Sequence, residues 1–81
     1  MTITVQLWSY FRDLAGTASL EVEPPDGATV ADALRLVYTR HPQLAALRNS
    51  TLIAVGVDYA DASQVLRTGD EVSLFPPVQG G

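Results

Sequence analysis

Apolar residues occupy every second position near both ends of the chain. This period-2 pattern covers Thr2–Trp8 and Glu71–Phe75 and is typical of strands with one buried face. Leu20 and Val22 show the same spacing before the turn predicted at Pro24-Pro25-Asp26-Gly27. We therefore expect three amphipathic strands. The strand at Thr2–Trp8 and the strand that contains Leu20 and Val22 should form a hairpin-like pair.

A helical period follows the second strand. Thr29 stands at the expected N-cap, and Asp32 three residues later gives a weaker variant of the capping box. The helix should end near Arg40, because the His41-Pro42 pair disfavours helical geometry at His41. One face of this helix carries Val30, Leu34, Val37 and Tyr38.

The remaining segments are shorter. Tyr10–Ala15 predicts a helical turn that stops at Gly16, and Gln43–Arg48 predicts another turn. Leu52–Val57 is apolar and predicts a third strand in chain order, whereas Asp58–Thr68 predicts a polar connector with room for one short edge strand. This order predicts an α+β fold of the β-grasp type: a mixed four- to five-stranded sheet with one main helix packed on one face.

Composition narrows the functional classes. The chain of 81 residues predicts a single domain, which we place at residues 1–75, followed by a tail over residues 76–81. No apolar run reaches the length of a membrane span, and no signal peptide is recognisable, so a cytoplasmic protein is expected. The net charge of −4 and the five scattered arginines argue against nucleic acid as a partner.

Sulfur and amine chemistry are also restricted. The chain has no cysteine, so any sulfur chemistry must use a group other than a side-chain thiol. All of its basic residues are arginines, and the absence of lysine means that the chain offers no lysine as an acceptor for isopeptide bonds.

The last six residues, Pro76-Pro77-Val78-Gln79-Gly80-Gly81, form an unusual end. Prolines restrict the direction in which this tail leaves the last strand, and glycines without Cβ atoms can enter a narrow channel. These properties suit a terminal carboxylate that a partner enzyme activates as an acyl-adenylate, for attack by a sulfur or nitrogen nucleophile. We therefore interpret Gly81 as the reactive residue of a carrier.

The segment Gly69–Gly81 resembles the C-terminal signature of the small subunit of molybdopterin synthase, a family of ubiquitin-like sulfur carriers. Tyr10–Gly16, the helix start at Thr29-Val30 and the chain length support the resemblance, which covers nearly the whole chain. Two positions depart from the family pattern. Val55-Gly56-Val57-Asp58 stands where Asn-Gly is common after the third strand, and Gln79 stands where Ser or Thr is common.

The resemblance implies that an activating enzyme uses ATP to adenylate Gly81, which is then converted to a thiocarboxylate with sulfur from a sulfurtransferase donor. The tail would then enter the large subunit of molybdopterin synthase and pass its sulfur to cyclic pyranopterin monophosphate. The chain itself would bind no cofactor or metal and supply no catalytic side chain.

Strand parity predicts a docking patch. If Val5 and Leu74 face the helix, Trp8 and Phe75 face away, and the first and last strands of a β-grasp sheet are neighbours. Tyr59 would join them from the connector, and exposed aromatic clusters often mark interfaces. The predicted partner-binding residues are Trp8, Tyr59, Phe75, Pro76, Pro77, Val78 and Gly80.

Alternatives remain open at this point. A carrier of the same fold could serve thiazole or tRNA thiolation, and a protein modifier could use Gly81 to form isopeptide bonds with a target. A plain interaction domain with an inert tail is a third possibility. His41 and the acidic pairs Asp58 with Asp61 and Asp70 with Glu71 fit structural or solvated roles better than catalysis.

Overall fold

The structure, a computed structural model, describes residues 1–77. It contains β1 (Ile3–Leu7), α1 (Tyr10–Ala15), β2 (Ser19–Val22), α2 (Val30–Arg40), α3 (Pro42–Ala45), a 3-10 turn (Arg48–Ser50), β3 (Leu52–Val55), β4 (Asp58–Tyr59) and β5 (Glu71–Phe75). The order of elements agrees with the prediction from the sequence. None of the helices within residues 1–77 combines the length and hydrophobicity that a bilayer crossing requires.

The five strands form one mixed sheet in the order β2-β1-β5-β3-β4. β1 pairs with β2 in antiparallel fashion and with β5 in parallel fashion, and β3 pairs antiparallel with both β4 and β5. The first and last strands are therefore central neighbours. This topology, with α2 as the main helix, confirms the predicted β-grasp fold.

A reciprocal cap fixes the start of α2. The Thr29 hydroxyl accepts a hydrogen bond from the Asp32 N–H at 3.4 Å, and the Asp32 carboxylate accepts one from the Thr29 N–H at 2.9 Å. The bond from the Thr29 N–H favours the charged carboxylate and holds the pKa of Asp32 below its usual value. The predicted capping box is confirmed, and α2 ends at Arg40, with His41 as its C-cap.

The core lies between α2 and one face of the sheet. β1 shows a strict alternation of buried and half-buried residues, so its buried side chains all point toward the helix. Phe11 of α1 and Leu44 of α3 are also members of this core. The other buried members are Ile3, Val5, Leu7, Val22, Val30, Ala33, Leu34, Val37, Leu66, Val72 and Leu74.

Several predicted boundaries were wrong by one to three residues. β1 ends at Leu7 rather than Trp8, and α3 begins at Pro42, which is favourable in the first turn of a helix. β3 ends at Val55 rather than Val57, because Gly56 takes a φ of 62° and starts a two-residue turn. Val55 pairs with Asp58 across this turn, so the unusual sequence at this position still forms a hairpin.

Two leucines on facing strands test which face of the sheet packs the core. Leu74 of β5 is 1% exposed on the helix side, whereas Leu52 of β3 is 37% exposed on the opposite side. We expect Leu74→Ala to lower the free energy of unfolding by about 2–5 kcal/mol, because it leaves a cavity. Leu52→Ala should cost about 1 kcal/mol or less. Urea denaturation measures both, and equal losses would contradict the assignment of the core.

Candidate functional site

The aromatic stack of Trp8 and Phe75 lies on the sheet face opposite α2. Their ring centroids are 5.6 Å apart and the rings are inclined by 12°. The Trp8 N–H donates to the Leu74 carbonyl at 3.2 Å, so the parallel pairing of β1 with β5 continues one residue beyond Leu7. Continued pairing places Trp8 beside Phe75, which explains the stack.

A strained residue follows Trp8 directly. Ser9 has φ 57° and ψ −139°, and it is the one non-glycine residue with positive φ within residues 1–77. Such a conformation costs on the order of 1–3 kcal/mol for a residue with a side chain. The chain reverses here to start α1, where the Trp8 and Ser9 carbonyls accept hydrogen bonds from the N–H groups of Phe11 and Arg12 at 3.2 and 3.1 Å. Trp8 is therefore the last residue that the first strand contributes to this face.

Strand register brings a second group of apolar residues to the same face. Phe75 pairs with Leu52, and Ala54 pairs with both Ser73 and Tyr59. Paired residues share a face, so these side chains point in the same direction as the aromatic stack. The aromatic face is defined here as Trp8, Leu52, Ala54, Val57, Tyr59 and Phe75.

A shallow depression of about 230 Å³ lies within the aromatic face, lined by Ala54, Gly56, Val57, Tyr59 and Phe75. Val57 is 98% exposed at the tip of the β3–β4 hairpin, Tyr59 is 78% exposed and Trp8 is 47% exposed. Apolar side chains this exposed and this close together are typical of a protein interface. The depression is wide enough to receive an apolar side chain of a partner.

The sequence placed three of these residues correctly: Trp8 and Phe75 through strand parity, and Tyr59 as a contribution from the connector. Trp8, Tyr59 and Phe75 do lie on one face, although their predicted role in binding a partner stays a prediction. Leu52, Ala54 and Val57 were missed. Parity across the β3–β5 pair would have found Leu52 and Ala54, whereas Val57 could be recognised only once Gly56 was known to form a turn.

The tail begins at the edge of the aromatic face. Pro76 and Pro77 follow Phe75 without secondary structure and are half-buried. Val78, Gln79, Gly80 and Gly81 lie outside the described residues, so the predicted roles of Val78, Gly80 and Gly81 remain predictions from the sequence. What the structure does place is the origin of the tail, one residue after the stacked Phe75.

The other polar candidates serve local turns. The Asp61 carboxylate accepts hydrogen bonds from the Ser63 hydroxyl and from the Ser63 N–H, which together hold the pKa of Asp61 below its usual value. Asp70 accepts from the Arg67 N–H at 2.9 Å and closes the turn before β5. The His41 N–H donates to the Val37 carbonyl at 2.9 Å at the end of α2.

Comparison with known proteins supports the fold and shows the family to which this chain belongs. The ThiS family model matches residues 5–81. The molybdopterin synthase sulfur carrier subunits of Chlamydomonas reinhardtii and Homo sapiens are 31% and 32% identical to this chain. The alignments cover 100% of both chains in the first case, and 98% of this chain and 93% of the relative in the second.

A relative with a different name is also similar. Small archaeal modifier protein 1 of Haloferax volcanii is 34% identical, over 91% of this chain and 98% of that protein. The crystal structure of SAMP1 from Haloferax volcanii superposes with a TM-score of 0.91 at 28% identity and covers 100% of both chains. Since the family model matches all but the first four residues, this chain belongs to the ThiS family.

Proposed function

We propose that this chain is a sulfur-carrier protein that acts as the small subunit of molybdopterin synthase. The observation that carries the proposal is the full-length similarity to molybdopterin synthase sulfur carrier subunits. The aromatic face is consistent with it, because a carrier must dock on the enzymes that load and unload its tail. The tail leaves the sheet directly beside that face.

The chemistry takes place on the Gly81 carboxylate. A carboxylate is a poor acyl donor, so it first attacks the α-phosphorus of ATP on an activating enzyme and releases pyrophosphate. Sulfide supplied by a sulfurtransferase donor then attacks the acyl carbon and displaces AMP, which leaves a thiocarboxylate. The sulfur finally passes to cyclic pyranopterin monophosphate in the large subunit, for the synthesis of the molybdenum cofactor.

The carrier contributes position rather than catalytic side chains. Its partners are the large subunit of molybdopterin synthase, the ATP-dependent activating enzyme and the sulfurtransferase donor, which we expect it to meet in the cytoplasm. Nucleotide and pterin bind to these enzymes. The chain supplies a rigid sheet, a docking face and a glycine end narrow enough to reach a buried active site.

A second function is favoured by the similarity to small archaeal modifier protein 1. A modifier would transfer Gly81 to a lysine of a target protein, and both functions share the adenylate intermediate. Because this chain contains no lysine, such a modifier could not build lysine-linked chains on itself. Thiazole or tRNA thiolation would use the same thiocarboxylate, so the acceptor decides among the pathways.

Loading of sulfur tests the carrier function directly. The chain is incubated with an activating enzyme, ATP and a sulfur donor, and its intact mass is measured. We expect the mass increase that corresponds to replacement of one oxygen by sulfur, and a chain that lacks Gly80 and Gly81 should stay unmodified. A wild-type chain that stays unmodified where a known relative is loaded would refute the proposal. Addition of large subunit and pterin precursor then identifies the pathway.

The aromatic face predicts which surface the large subunit contacts. Phe75→Ala removes one half of the stack, and we expect at least a tenfold loss of affinity for the large subunit, since buried aromatic anchors contribute about 2 kcal/mol or more. Calorimetry measures the affinity, and circular dichroism checks the fold. The matched control is Leu36→Ala, which truncates a side chain on α2 that is 37% exposed. Equal losses in both variants would contradict docking through this face.

A further inference from the structure

A second depression lies on the helix side of β3. It measures about 340 Å³ and is formed by a stripe of α2 and by Ile53, with Ala62 from the connector at its margin. Ile53 pairs with Leu74 on the core face, whereas Leu52 and Ala54 point to the aromatic face. The helix groove, defined as Ala31, Leu34, Arg35, Tyr38, Arg48, Asn49, Ile53 and Ala62, is thus separated from the aromatic face by the thickness of the sheet.

The groove combines an apolar floor with a cationic rim. Leu34 and Ile53 supply apolar surface, and Arg35, Arg48 and Asn49 surround it. Arg35 contacts Asp32 at 3.5 Å, but its side chain remains 75% exposed. Arg48 donates one hydrogen bond, to the Ala45 carbonyl at 3.2 Å. A guanidinium has five N–H donors, so both arginines keep donors for a ligand.

The Tyr38 ring forms part of the wall of the groove. Its hydroxyl oxygen is buried and therefore closed to a ligand in the groove. Burial raises the pKa of Tyr38, while the nearby Thr51 hydroxyl and the positive charge of Arg48 oppose that rise. Thr51 donates its own proton to the Leu47 carbonyl and keeps lone pairs that can accept one from Tyr38. The polar groups that the groove offers to a ligand are therefore those of its rim.

The cationic rim formed by Arg35 and Arg48 favours an anionic ligand. A carboxylate suits it, because a guanidinium can donate two parallel hydrogen bonds to the two oxygens of one carboxylate. The chain as a whole carries a net charge of −4 and would repel an acidic partner elsewhere, so this rim is a local exception. The apolar floor requires an apolar group next to the carboxylate.

The shape of the groove favours a side chain over a free small molecule. The depression is open along one side, whereas pockets for small ligands enclose about 70–90% of the ligand surface. We propose that the helix groove binds an acidic residue and an adjacent apolar residue presented by a protein partner. Because the groove and the aromatic face lie on opposite sides of the sheet, the partner can bind while the aromatic face is occupied.

Two capped dipeptides that differ in one charge test the proposal. The isotope-labelled full chain is titrated with N-acetyl-Phe-Glu-amide, and the NMR shifts of its backbone amides are measured. We expect saturable shifts at Leu34, Arg35, Asn49 and Ile53. We expect a dissociation constant on the order of millimolar, as for a fragment of an interface. N-acetyl-Phe-Gln-amide should bind about fivefold more weakly, because it lacks the charge.

Variants test whether the arginines on the rim of the helix groove cause the preference for the acidic peptide. Arg48→Gln and Arg35→Gln should each reduce the difference between the two peptides, because each removes one guanidinium from the rim. Arg67→Gln is the matched control, since Arg67 is exposed and does not line the groove. Equal affinity of the wild-type chain for both peptides would overturn the proposal, and so would unchanged binding in both Arg48→Gln and Arg35→Gln. Concentration-dependent shifts of these amides without peptide would also overturn it, because they would assign the groove to a second copy.

Discussion

The parallel pairing of β1 with β5 is the constraint on which the other features depend. It places the first and last strands side by side within the sheet, with the carboxyl ends of both strands at the same edge. Trp8 follows β1 at this edge, while Phe75 and the first proline of the tail follow β5. The aromatic face and the origin of the tail therefore lie at the same end of the molecule.

β3 contributes side chains to both faces of the sheet. Its pairing with β5 turns Leu52 and Ala54 outward and Ile53 inward, because successive side chains of a strand alternate between faces. The outward side extends the aromatic stack into a continuous apolar surface. The inward side is only partly covered by α2, and the uncovered part becomes the helix groove. One short strand thus contributes to two surfaces that differ in charge.

Stability and binding make opposed demands on this small domain. The core is confined to one face of the sheet, and the other face leaves large apolar side chains such as Tyr59 and Val57 in water. Ser9 adds backbone strain next to Trp8. A strained conformation is retained when the surrounding structure holds it in place. Here hydrogen bonds join Trp8 to β5 and Ser9 to α1.

The sequence by itself determined the elements, the buried face of each long strand and the cap of α2, and it is the source of the prediction that the tail is reactive. These features depend on local periodicity and on residue chemistry, which neighbours along the chain already encode. The sequence predicted that Trp8 and Phe75 share a face, and the tertiary structure added the stacked geometry of their rings. Tertiary structure alone decided the place of Val57 at a turn and the meeting of Arg35, Tyr38 and Arg48 around one groove. These residues are distant in sequence. They come together only when all five strands have paired in register and the helix has packed on the sheet.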